Sequence, residues 1–144
     1  MVVPAEFVAD ASFTIPWVFG DESNRASEEA WQAMKEWKTV VHVPALWLWE
    51  LTNVLVRNEK RGRINSVQVS EFLRLVERLP IKVSPGELPS VFANVPTLMR
   101  THSLTAYDAA YLHLAKRSGL PLATLDEALG ESAQREGIAL VETD

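Results

Sequence analysis

The chain has 144 residues, 14 Lys and Arg against 19 Asp and Glu, a formal net charge of −5 and no cysteine. That length fits one domain with a sizeable core, and the missing cysteines exclude disulfide frameworks, thiolate metal sites and cysteine nucleophiles. An apolar fraction of 47% excludes a disordered chain, and the acidic balance excludes a protein that coats nucleic acid through a basic surface.

No Lys or Arg precedes Arg25, so the start lacks the basic region of a signal peptide. Phe7-Val8-Ala9 is a short apolar run that stops at Asp10 and reads as a buried strand. Residues 22–38 read as a helix, with Ala26, Ala30, Ala33 and Trp37 on its apolar face. Val40-Val41-His42-Val43 is β-branched and stops at Pro44, a second strand. The apolar stretch 40–51 is interrupted by His42, Pro44 and Glu50 and is too short to span a bilayer. Residues 45–61 form a helix that ends before Gly62. Residues 66–78 form another, with Val69, Phe72, Leu73 and Val76 on one stripe.

Ile81-Lys82-Val83 is the third strand, ended by Ser84-Pro85-Gly86. The helical pattern of 87–99 holds Pro89 and Pro96 and is expected to be broken. Residues 105–118 are helical up to Gly119, and the fourth strand lies in 120–124. Residues 126–135 are helical up to Gly137, and Ile138-Ala139-Leu140-Val141 is a fifth strand. Strands alternating with helices predict a single α/β domain over 1–144, a three-layer α/β/α sandwich on a mainly parallel five-stranded sheet. In such folds the ligand site lies at the carboxyl ends of the strands. The expected location is the cytoplasm.

Four acids stand apart from the solvated ones. Asp10 follows the first strand, Glu50 lies inside the apolar helix 45–61, Asp108 lies early in 105–118, and Asp126 follows the fourth strand. Singly, three of them also fit helix caps: Asp10 before a helix, Asp108 in a Thr-x-x-Asp box with Thr105, and Asp126 before 127–135. Glu50, Asn53 and Arg57 share a narrow stripe that also fits a solvent edge, although Trp49 and Val56 flank it with apolar surface. Jointly, the strand-end rule draws the acids toward one sheet edge. Carboxylates gathered there repel and raise one another's pKa, and a hard Mg²⁺ or Mn²⁺ relieves that repulsion. Such a site suits phosphodiester hydrolysis.

The run Arg57, Lys60, Arg61 and Arg63 at the end of the same helix offers contacts to a phosphodiester backbone, or simply cations at a helix C-terminus. All five Trp fall within the first 49 positions; Trp37 fits a core stripe, and Trp49 fits either the core or an anchor at a protein interface. His42, His102 and His113 lack metal-ligand spacing and are read as structural.

The chain resembles the PIN-domain family and, within it, the VapC-type toxins. The matching pieces are Asp10-Ala11-Ser12, Pro44 followed by Glu50-Leu51-Thr52-Asn53-Val54-Leu55, Leu104-Thr105-Ala106-Tyr107-Asp108-Ala109-Ala110-Tyr111, and Leu122-Ala123-Thr124-Leu125-Asp126. They occur in the family's order and span essentially the whole chain. The resemblance implies a Mg²⁺- or Mn²⁺-dependent ribonuclease with Asp10, Glu50, Asp108 and Asp126 as its acidic site. It makes Ser12 and Thr124 supporting hydroxyls and Asn53 a polar neighbour. It also implies a homodimer and a cognate antitoxin that holds the toxin inactive across the acidic cleft. Two bound Mg²⁺ would cancel most of the net −5.

Rival readings fare less well. A phosphotransfer receiver needs an acid after the third strand, where Ser84-Pro85-Gly86 stands, and a Lys after the fifth, although no Lys follows Lys116. A dehalogenase-like phosphatase needs a second Asp where Ser12 stands. The remaining alternative is a catalytically silent PIN-like module that binds a partner protein or RNA.

Overall fold

The computed structural model describes residues 2–143. Among them, strands β1 (Glu6–Ala9), β2 (Val40–Pro44), β3 (Ile81–Ser84) and β4 (Leu122–Ala123) form one sheet in the order β3-β2-β1-β4, with every pairing parallel. Phe7, Val8 and Ala9 are wholly buried, which is why β1 is a continuous apolar run instead of an alternating one. The helices are α1 (Ala11–Thr14), α2 (Arg25–Lys35), α3 (Leu46–Lys60), α4 (Ser66–Val76), α5 (Leu88–His102), α6 (Ala106–Ser118) and α7 (Glu127–Arg135). Helix α3 packs on β2 with α4 against it, and α6 packs on β1, β2 and β4 with α5 against it.

The chain steps outward from β1 to β2 to β3 and then returns to the other side of β1 for β4. The direction of winding therefore reverses between β1 and β4. That reversal opens a crevice at the carboxyl ends of these two strands, since the loops leaving them diverge. Trp47, 1% exposed, anchors α3 beside the crevice: its indole Nε1 donates to Thr14 Oγ1 of α1 at 2.9 Å. Burying a side chain of that size contributes roughly 3 kcal/mol.

Three expectations are corrected. The fifth strand shrinks to a single parallel bridge, Leu122 to Leu140. Its backbone bonds, Leu122 N to Ala139 O and Val141 N to Leu122 O, both 2.9 Å, are too few to make a strand, because β4 itself is only two residues long. Helix α5 runs unbroken over Leu88–His102. Pro89 occupies its first turn, where no amide partner is needed, and Pro96 forfeits only the bond to the carbonyl of exposed Phe92, which water can serve.

Trp37 is 70% exposed and belongs to no core stripe. Helix α2 starts at Arg25, capped by Asn24, and stops at Lys35, with Trp37 at φ 59° just beyond. Lys38 N bonds to Ala33 O at 2.9 Å and Trp37 N to Met34 O at 3.0 Å, so Trp37 fills the left-handed position of a Schellman ending that glycine usually takes. The helix expected over 22–38 is thus shorter at both ends, and Glu22, expected to open it, instead ends a 3₁₀ turn over Gly20–Glu22.

Candidate active site

Asp10 leaves β1 as the N-cap of α1, with its Oδ1 accepting Phe13 N at 3.0 Å. It is 5% exposed, yet both its oxygens are engaged: Ser12 Oγ donates to Oδ1 at 2.7 Å and Thr124 Oγ1 donates to Oδ2 at 2.5 Å. Thr124 leaves β4, so this bond ties the two strand ends across the crevice. Thr124 Oγ1 also accepts Asp126 N at 3.0 Å, and Ser12 Oγ accepts Leu125 N at 2.9 Å. The two hydroxyls lie 3.3 Å apart and fix Asp10 against the turn that carries Asp126. Asp126 caps α7, accepting Leu129 N at 3.1 Å.

Glu50 projects from the second turn of α3, half-buried, and receives the Tyr111 hydroxyl on Oε1 at 2.5 Å. Asp108 stands in the first turn of α6, where Thr105 Oγ1 accepts its backbone N–H at 3.2 Å; its carboxylate has no hydrogen-bond partner among the described residues. Both acids therefore approach the crevice from helix starts on its rim.

Electrostatics join the four. Burial pushes the Asp10 carboxyl above the usual carboxylate range, against the lowering effect of its three donors, and the charge of Asp126 adds to the rise. Burial also raises Glu50, with Asp10 and Asp108 adding repulsion and the Tyr111 bond opposing it. Asp108 is raised by burial and by Asp126. Each of the four thus lies within repulsive reach of at least one other. Tyr111 is driven far upward by burial and by Glu50, so it remains a donor.

The donor set is all oxygen, which suits a hard divalent cation, and such an ion removes the repulsion that raises these groups. Among the described residues no three acidic, His or Cys groups already close into a metal cage. Instead, Glu50 is held by Tyr111, and Asp10 by its hydroxyl partners. The chemistry of the site fits a cation that would draw the carboxylates together.

Of the other predicted residues, Ser12 and Thr124 lie in the site, and Asn53 shares a surface hollow with Glu50. Arg57, Lys60 and Arg61 are exposed along the end of α3 and just past it. Arg63 is committed elsewhere: its Nη2 bonds to both Asp21 carboxylate oxygens at 2.9 Å, its Nη1 donates to Asn58 Oδ1 at 2.8 Å, and its guanidinium lies 4.4 Å from the Phe19 ring centre. The histidines are structural, His42 paired with Glu6, His102 with Glu136 and His113 with Ser90. Sequence reasoning passed over the role of Tyr111; its only local signal is a hydroxyl three residues past Asp108 on an apolar helix.

The PIN domain family model matches residues 7–135. The chain belongs to the PIN-domain family. It is 28% identical over 126 residues to Ribonuclease VapC3 of Pyrobaculum aerophilum, covering 88% of this chain and 93% of that protein. The crystal structure of PAE2754 from the same organism superposes with a TM-score of 0.69 at 25% identity, over 90% of this chain and 86% of that one. The fold also matches a toxin–antitoxin complex from Klebsiella pneumoniae, with a TM-score of 0.55 at 17% identity, over 83% and 86% of the two chains. In this PIN-domain chain, no described helix is long and apolar enough to cross a membrane.

Proposed function

We propose that this PIN-domain chain is a single-domain, Mg²⁺- or Mn²⁺-dependent endoribonuclease, the toxin of a toxin–antitoxin pair. The observation that carries this reading is the chain of close acid pairs at the β1/β4 crevice, with Asp126 acting on Asp10 and Asp108, and Asp10 and Asp108 acting on Glu50. Asp10, Glu50, Asp108 and Asp126 would hold the cation. When bound, it supplies Lewis acidity and positive charge at a phosphodiester. Ser12 and Thr124 hold Asp10 in one orientation, and Tyr111 does the same for Glu50. Asn53 offers an amide beside Glu50, and Arg57, Lys60 and Arg61 offer cations to the RNA backbone. The likeness to a toxin–antitoxin complex supports a cognate antitoxin as partner; a cytoplasmic homodimer, with the antitoxin laid over the acids, completes the proposal.

The test is cleavage of single-stranded RNA by the purified chain with Mg²⁺ or Mn²⁺, with EDTA and Asp108→Asn as controls. Cleavage that needs the metal and disappears in Asp108→Asn is the expected result. Cleavage that survives in either control refutes the mechanism, and none from the parent chain favours a silent binding module.

A further inference from the structure

Two aromatic rings at the rim of the site serve no purpose in the folded chain. Trp49 is 74% exposed and Tyr107 is 64% exposed. Neither has an aromatic or side-chain hydrogen-bond partner among the described residues, whereas Trp17, Trp31 and Phe72 pack ring on ring. A lone exposed ring is ordinary, whereas two beside one another around a hollow mark a surface that can take an occupant. Trp49 precedes Glu50 in the chain and Tyr107 precedes Asp108.

The two rings line one shallow hollow of about 300 Å³ with Leu46, Glu50 and Asn53. Leu46, Trp49, Glu50 and Asn53 are spaced three and four apart and form one contiguous face of α3; Tyr107 enters from α6. The hollow borders the acidic site, because Glu50 lines it and is also within repulsive reach of Asp10 and Asp108. Arg57 extends the same face of α3 one turn beyond Asn53.

We propose that Trp49 and Tyr107 form a stacking subsite for one nucleobase of single-stranded RNA, adjacent to the scissile phosphate. This rests on the ribonuclease reading above. Three features favour a base over a protein side chain. The hollow is lined by two exposed aromatic side chains, it contains an acid of the proposed catalytic set, and Asn53 gives it an amide that can both donate to and accept from a base edge. A cation on the face, Arg57, then suits the next phosphate along. Stacking tolerates any base, so the subsite adds affinity and register, with the base edge read only through Asn53.

The test uses full-length chain carrying Asp108→Asn to stop cleavage, in Mg²⁺, with short single-stranded RNAs bearing 2-aminopurine at successive positions. One position is expected to be quenched on binding. Trp49→Ala raises the Kd about tenfold and abolishes that quench, Tyr107→Ala acts in the same direction, and Trp49→Phe retains most of the affinity. An RNA abasic at the quenched position loses the same affinity, and Trp49→Ala adds nothing further to that loss. Unchanged affinity in Trp49→Ala overturns the subsite, as does a change in sedimentation from dimer to monomer with no dependence on the base, which would make Trp49 a protein contact. If the parent chain cleaves no RNA yet quenches one position, the nuclease reading fails and the subsite stands. If it cleaves normal and abasic RNA equally, with or without Trp49, the subsite fails alone.

Discussion

The Tyr111 hydroxyl donates to Glu50 Oε1 at 2.5 Å and so joins α6 to α3 across 61 positions of sequence. The bond favours the ionised form of Glu50, which burial and the neighbouring acids oppose. Tyr111→Phe removes it without changing the ring. Glu50 then rises further, so the acid limb of the pH–rate profile moves to higher pH, and stability falls by about 1–2 kcal/mol. A profile that superimposes on the parent's would show that Tyr111 plays no part in setting Glu50.

Asp10, Glu50 and Asp108 hold protons more tightly in the folded chain than at the ordinary values of 3.8 for Asp and 4.5 for Glu. Across the window between those values and the raised folded ones, the native state binds more protons than the unfolded state. The stability these groups contribute is therefore present below the ordinary values and lost as pH rises through the folded ones. Asp108→Asn removes one such group and leaves no side-chain partner unsatisfied. In EDTA it should melt higher than the parent at neutral pH, by ~0.5 kcal/mol, with no gain at about pH 3. A variant that melts lower at neutral pH contradicts the repulsion described for the site.

Thr124→Val tests the link between the strand ends. Valine keeps the shape but deprives Asp10 Oδ2 of its donor and Asp126 N of its acceptor. The expected loss is about 2 kcal/mol in urea unfolding, the scale of a bond to a charged group, together with lower activity. Thr124→Ser should recover most of both.

The basic run should divide in two. Arg57→Ala is expected to weaken RNA binding and to reduce the slope of log K against log salt by about 0.7, one phosphate contact on a single strand. Arg63→Met should leave RNA affinity alone and cost about 1 kcal/mol of stability, since Arg63 is already bound to Asp21 and Asn58. Equal effects of the two on RNA binding would contradict this division.

The placement of the four candidate acids was more legible in the sequence than the scaffold's margins. Asp10 and Asp126 follow from strand-end logic, because a short apolar run ending in an acid fixes both the strand and its exit. Glu50 follows from helical spacing, and Asp108 from the motif around it. Features set by long-range or cooperative terms escaped. The 138–141 run is apolar enough for a strand, but pairing needs a partner longer than two residues. Pro96 warned of a break, yet the packing of α5 on α6 outweighs one lost bond. Trp37 has the right spacing for a core stripe, but the helix stops before reaching it. The Tyr111–Glu50 bond has no local signature, since its halves meet only after folding.

Two of the four acids also close helices. Asp10 caps α1 through Phe13 N, and Asp126 caps α7 through Leu129 N, whereas the Glu50 and Asp108 side chains cap nothing. Loss-of-function changes therefore come in two kinds. Substitution at 10 or 126 frays a helix end and lowers the amount of protein in a cell along with its activity. On the reading proposed above, substitution at 108 leaves an intact but inert body, a decoy that can still sequester an inhibitor from active copies, whereas substitution at 50 also strands the buried Tyr111 hydroxyl.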